Sequence, residues 1–254
     1  MTNKPMTKQT VLSIAGFDPI AGAGILADVK TFENIGVYGF AITTSITYQN
    51  ENKFYGVKWL SIKQIKNQIY PIIENHKIDF VKIGLIENFK AVVSIIELLK
   101  TYNPTIKIIW DPILRASAGF DFHQKIPKKN LKYILKNIYL ITPNWQEILP
   151  LSNEKDAIIG AEKLAQYCNV YLKGGHNIET PATDLLFIEN SIEVFHPKKI
   201  TALEKHGTGC VLSAAMLSFL ATGKTLHQAC ELAKEYTYKF LISNEKKLGY
   251  HVIV

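Results

Sequence analysis

Arginine is all but absent: Arg115 is the sole arginine among 29 basic residues in a chain of 254. Arginine grips phosphates and guanine edges in a bidentate fork, so a net charge of +7 built from scattered lysines argues against a nucleic-acid partner. It describes a solvated surface with a mild attraction for anionic metabolites. Cysteine is scarce as well. Cys168, Cys210 and Cys230 are odd in number and lack metal-ligand spacing, which excludes a disulfide framework and points to a reducing, cytoplasmic setting. No stretch approaches the roughly 20 apolar residues of a membrane span, so no membrane partner is expected. Residues 1–9 are polar, lack the apolar centre of a signal peptide, and read as a flexible lead-in. With no repeat, low-complexity segment or shift in composition, residues 1–254 read as one domain.

What is present is alternation. The run 11–16 fits a buried strand, and apolar spacing through Ile25, Val29, Phe32 and Ile35 predicts a helix over 22–35, closed by Gly36. Residues 38–48 are rich in β-branched side chains and give the next strand. Short apolar runs at 80–84, 106–110, 138–141 and 170–172 then alternate with helical patterns at 62–74, 89–100, 127–135 and 156–167. Such alternation means parallel strands joined by crossover helices. Runs at 185–188 and 192–195 predict a hairpin, hence an antiparallel edge, and helices over 211–222 and 226–244 complete an α/β fold with a mostly parallel central sheet.

A sheet of this kind binds ligands beyond the carboxyl ends of its strands. Gly16 and Asp18, Gln49, Gly84 and Leu85, Asp111, Asn144 and the run Lys173-Gly-Gly-His176 all fall there. Gly22-Ala-Gly24 imitates a dinucleotide fingerprint, but six positions separate Gly16 from Gly22 and the second strand ends without an acid, so a dehydrogenase is disfavoured. A Walker loop is missing too. The turn His206-Gly-Thr-Gly-Cys210 is the most informative stretch. Its glycines let backbone N–H groups approach a ligand, and a helix begins directly after it, so Gly207, Thr208 and Gly209 would suit a phosphate in transfer; taken alone, the pentapeptide equally fits a glycine turn that opens a helix with Cys210 buried and inert. Cys210 places a thiol at that helix N-terminus, where its pKa is expected to fall and a thiolate could act as base.

In chain order, Ala15-Gly-Phe-Asp-Pro19, Gly22-Ala-Gly-Ile25, Ala27-Asp-Val-Lys-Thr-Phe32, Tyr48-Gln-Asn50, Lys82-Ile-Gly84, Asp111-Pro112, Thr142-Pro-Asn144 with Glu147, Lys173-Gly-Gly-His176 and His206-Gly-Thr-Gly-Cys210 form an ordered set. In that set the chain resembles the hydroxymethylpyrimidine/phosphomethylpyrimidine kinases of thiamine biosynthesis, within the ribokinase-like superfamily. The resemblance implies a three-layer α/β/α sandwich that uses ATP and Mg²⁺ to phosphorylate 4-amino-5-hydroxymethyl-2-methylpyrimidine and then its monophosphate. It implies a pyrimidine pocket of Gly16, Asp28, Thr47, Gln49 and Leu85, nucleotide contacts from Lys173, Lys234 and Asn144, metal contacts from Glu147 and Asp111, and Cys210 as base. Gln49 offers a donor and an acceptor together, as an aminopyrimidine edge requires. Asn144-x-x-Glu147 equally suits a helix cap. By the same resemblance a homodimer is expected.

The chain departs from the family pattern at Ile20-Ala21, at Ser117-Ala118 with Arg115 nearby, and in stopping at Val254. A pyridoxal kinase on the same scaffold is the nearest alternative, and a pyrimidine sensor without catalysis is a further one. Residues 120–129 and 176–183 are candidate lids.

Overall fold

The computed structural model describes residues 8–115, 122, 126–177, 179–189, 191–199 and 203–251. Its strands are β1 (Thr10–Phe17), β2 (Tyr38–Gln49), β3 (Phe54–Trp59), β4 (Phe80–Ile83), β5 (Lys107–Trp110), β6 (Leu140–Ile141), β7 (Asn169–Leu172), β8 (Asp184–Ile188) and β9 (Ser191–Phe195). They form one sheet in the order β3-β2-β1-β4-β5-β6-β7-β8-β9. From β2 through β7 every neighbouring pair is parallel. The helices are α1 (Gly24–Ile35), α2 (Ile62–Asn75), α3 (Phe89–Tyr102), α4 (Lys128–Asn137), α5 (Trp145–Ser152), α6 (Ala157–Ala165), α7 (Thr208–Ala221) and α8 (Leu226–Leu241).

Alternation along the buried strands divides the core in two. Leu12, Ile14, Val81, Ile83, Ile108 and Trp110 pack with α2 to α6, whereas Val11, Ile109, Leu140 and Tyr171 face the other way onto α1, α7 and α8. The result is helices on both faces of the sheet, as expected. Helix ends follow local chemistry. Gly36 at φ 92° closes α1 in the left-handed conformation and donates to the carbonyls of Phe32 and Glu33, and Ser61 with Gln64 forms a capping box for α2.

The largest differences in boundary fall in the last two helices, and one strand was not foreseen. The sheet has an antiparallel strand at each edge: β8 and β9 at one, and β3 paired with β2 at the other. The β2–β3 turn is built by the Asn50 side chain, which accepts from the N–H groups of Asn52 and Lys53, and Gly56 hides the strand pattern that follows. Helix α7 begins at Thr208 and not at 211, so the small-residue turn itself supplies its first turn. Helix α8 ends at Leu241, three residues before Asn244. Among the described residues no helix is long and apolar enough to cross a membrane.

Candidate active site

The carboxyl ends of the parallel strands open into one cavity of about 1750 Å³. Gly16, Thr47, Gln49, Leu85, Asp111, Asn144, Glu147, Lys173, Gly207, Thr208, Gly209, Cys210 and Lys234 all line it. Asp28 does not. It is fully buried below the cavity floor, where Ser13 Oγ donates to one carboxylate oxygen at 2.5 Å and Lys82 Nζ to the other at 2.5 Å. The expectation that Asp28 lines the ring pocket is therefore corrected: helix α1 packs that face onto β1 and β4, where Ser13 and Lys82 cover the carboxylate.

At one end of the cavity, alternation along β2 puts Thr47 and Gln49 on the same side. Gln49 Nε2 donates to Thr47 Oγ1 at 3.0 Å, and Thr47 Oγ1 donates to the Phe17 carbonyl at 3.1 Å, so the Gln49 amide is held in one orientation. Leu85 packs beside Gly16, where a Cβ would stand 2.8 Å from Ser45 Oγ and 3.2 Å from Leu85 Cδ2. Phe122 closes the aromatic side by meeting Phe54 edge-on at 5.5 Å. Of the candidate lids, residues 120, 121, 123–125 and 178 lie outside the described residues, as do Ser117 and Ala118.

The centre holds the charges. Lys173 Nζ lies 2.9 Å from Asp111 Oδ1 and 3.7 Å from Glu147 Oε2. Burial alone would depress the Lys173 ammonium, yet Asp111 and then Glu147 hold it well above the usual lysine range. Asp111 also accepts from Thr142 Oγ1 at 3.1 Å and Ser213 Oγ at 3.2 Å. Burial pushes the Glu147 carboxyl up, with Lys173 opposing and Asp111 adding to the rise. Asn144 and Glu147 form a reciprocal capping box on α5: Asn144 Oδ1 accepts from the Gln146 and Glu147 N–H groups, and Glu147 Oε2 accepts from Asn144 N–H at 2.8 Å. Capping and cavity lining are thus done by the same pair. Asp111 and Glu147 are hard oxygen donors on one cavity wall. Among the described residues no three His, Cys, Asp or Glu side chains cluster as a metal cage. That donor set fits Mg²⁺, which keeps several waters and takes its other ligands from phosphates.

Helix α7 points its N-terminus into this centre. Its first internal bond runs from Val211 N–H to the Gly207 carbonyl at 3.0 Å, so the N–H groups of Thr208, Gly209 and Cys210 have no partner within the helix. Gly207 has φ 79°, and a Cβ there would overlap the Gly22 carbonyl. A Cβ on Gly209 would lie 3.3 Å from Lys173 Nζ, so this residue faces the charged centre. Cys210 lines the same cavity and receives a hydrogen bond from Gly24 N–H at the start of α1. The expected fall in its pKa does not occur. Burial pushes the thiol up to about 11, outweighing Lys82 and the Gly24 amide.

At the far end, Lys234 on α8 donates to Asp184 Oδ2 at 2.5 Å and to the Ala182 carbonyl at 2.6 Å. Asp184, which the sequence reading passed over, also accepts from Tyr171 Oη at 2.8 Å and Gly174 N–H at 2.6 Å. It ties α8 to the loop carrying Lys173. Asp18 was foreseen at the end of β1, but its network was not: it accepts from the N–H groups of Ile20, Gly22 and Ala23 and meets His206. The signals for both were an acid beside a strand end in a small-residue context.

A family profile described as phosphomethylpyrimidine kinase matches residues 18–253. The chain is 36% identical over 246 residues to a hydroxymethylpyrimidine/phosphomethylpyrimidine kinase of Aquifex aeolicus, covering 94% of this chain and 96% of the relative. It is 33% identical over 241 residues to the enzyme of that description from Bacillus subtilis, covering 91% and 88%. Among solved structures, phosphomethylpyrimidine kinase from Clostridium difficile superposes with TM-score 0.78 at 34% identity, covering 91% of this chain and 99% of that one. Pyridoxal kinase from Staphylococcus aureus in complex with ADP superposes with TM-score 0.83 at 23% identity, covering 98% and 95%, a likeness of fold.

Proposed function

The chain belongs to the phosphomethylpyrimidine kinase family, and from that footing we propose that it transfers the γ-phosphate of ATP to 4-amino-5-hydroxymethyl-2-methylpyrimidine and then to its monophosphate, in thiamine biosynthesis. The observation that carries this reading is the convergence of Gly209 and Cys210, at the start of α7, on the cavity that holds Lys173 and Asp111. A Cβ on Gly209 would lie 3.3 Å from Lys173 Nζ, and Cys210 lines the same cavity beside the start of α1.

In this reading Gln49 and Thr47 fix the aminopyrimidine edge, and Leu85 packs on the ring. The hydroxymethyl group then lies before Cys210, which in its thiolate form accepts the hydroxyl proton. The N–H groups of Thr208, Gly209 and Cys210 and the Lys173 ammonium stabilise the charge on the phosphoryl group in flight, which is the principal task in such transfers. Lys234 and Asn144 position the nucleotide. Asp111 and Glu147 would hold a hydrated Mg²⁺, whose contribution is to neutralise the polyphosphate. We place the enzyme in the cytoplasm as a homodimer. Support for the dimer comes from exposed Ile46 and Tyr48 on β2 and Tyr55 on β3, and sedimentation tests it.

ADP release with Mg·ATP and each of hydroxymethylpyrimidine, its monophosphate and pyridoxal, with mass analysis of the products, tests the assignment. Turnover of both pyrimidines to the diphosphate supports it. Turnover of pyridoxal alone would move the chain to the pyridoxal kinase alternative, and pyrimidine binding without turnover would make it a sensor.

A further inference from the structure

A buried charge cluster under the cavity floor has no part in the reaction as outlined above. Lys82 interrupts the apolar run of β4, and register places it beside Ser13 of β1. Lys82, Ser13 and Asp28 are each fully buried. Taking an ion pair out of water costs several kcal/mol per ion, and apolar side chains of the same volume usually fill a core better, so its placement calls for a use. The placement is specific. A Cβ on Gly84 would stand 3.9 Å from Lys82 Nζ, so the ammonium reaches toward the strand end where the cavity opens. Asp28 lies one helical turn beyond Gly24, whose N–H donates to Cys210. Helix α7, which carries Cys210, packs directly over β1 and β4. The charged groups acting on Cys210 are Lys82 from β4, Asp28 from α1, Asp111 from the end of β5 and Lys173 from the end of β7, and Lys82 is the foremost cation among them.

We propose that Lys82 is a positioning residue for phosphoryl transfer: its buried ammonium stabilises negative charge on Cys210 Sγ from beneath, while Asp28 anchors that ammonium and partly cancels it. The inference rests on Cys210 taking the substrate proton. Ser13 orients Asp28, and no group of this cluster touches substrate.

Alkylation of Cys210 by iodoacetamide in the folded, nucleotide-free protein, followed by mass spectrometry across pH, reads the thiolate directly. Asp28→Asn removes the cancelling charge and is expected to lower the midpoint by about one pH unit. Lys82→Met is expected to raise it, with turnover falling in step. A merely loosened core would expose the thiol and move both variants downward, toward an ordinary cysteine. If Lys82→Met does not fold, the double variant Lys82→Met/Asp28→Leu replaces the pair with apolar volume and carries the same upward expectation. A downward move in a folded Lys82 variant, or an unchanged midpoint in Asp28→Asn, overturns the proposal. Wild-type turnover by Cys210→Ala would instead remove the base assignment and with it Lys82's role in transfer, while the alkylation profile would still decide whether Lys82 governs the sulfur.

Discussion

His206 Nε2 lies 2.9 Å from Asp18 Oδ2, although 188 positions separate the two residues in the chain. The contact joins the loop after β1 to the turn that opens α7. Asp18 also accepts three backbone N–H groups of its own loop, so one carboxylate organises both walls. Burial pushes that carboxyl up, but His206 and the amides of Ala23 and Ile20 outweigh burial and hold it below the usual aspartate range.

Asp18→Ala therefore leaves buried amides without an acceptor and is expected to cost on the order of 2–3 kcal/mol in urea unfolding, with a raised KM for the pyrimidine. The pH dependence has a definite sign. Because the folded pKa is depressed, the stabilisation is complete above the unfolded value near 3.9 and is lost as pH falls through the folded value. The stability gap between wild type and Asp18→Asn should narrow below about pH 4.

Gly207→Ala forces a side chain into a left-handed backbone and against the Gly22 carbonyl. The two loops must part to admit it. Misplacement of reacting groups by an ångström costs about 100-fold, so kcat/KM should fall at least that far while circular dichroism stays native.

Cys210→Ala should lower kcat by about 10² to 10⁴ with little change in KM, the range expected for loss of a general base. The thiol pKa near 11 also sets the pH profile. If the thiolate is the base, kcat/KM rises with pH through the neutral range in wild type and is flat in the alanine variant. Parallel profiles would show that another group takes the proton.

Lys173→Met removes the cation between Asp111 and Glu147. Two buried carboxylates would then face one another, and one would take up a proton. The expected outcome is a rise in KM for Mg·ATP together with a fall of about 100-fold in kcat. Steady-state kinetics at saturating pyrimidine measures both.

Much of this fold is legible from spacing, because short continuous apolar runs for the buried strands alternate with the periodic pattern of amphipathic crossover helices. Strand β3 is not, since Gly56 interrupts its pattern and the turn before it depends on the Asn50 side chain. The apolar run 138–141 marks β6, but pairing with β5 and β7 confines the strand to Leu140–Ile141. Candidate site residues at strand ends could be read because glycine and polar residues there have no packing role. Asp28 misled although Ile25 and Phe32, three positions before and four after it, already place it on the inward face of α1; an acid there suggests a ligand group, whereas Ser13 and Lys82 satisfy it within the core. Cys210 misled differently: a helix terminus lowers a thiol pKa only when burial does not outweigh it.

One layer of the core joins α1, near the start of the chain, to α7 and α8, near its end. During synthesis α1 must wait for more than a hundred residues before its apolar face is covered. The α2 to α6 layer, by contrast, has its partners close in sequence. Contacts of such long range are formed late, and an uncovered apolar helix invites association with other chains. Assembly of the catalytic turn and closure of this layer are therefore the same event, so a chain truncated before α7 would lack both its active centre and its protection from aggregation.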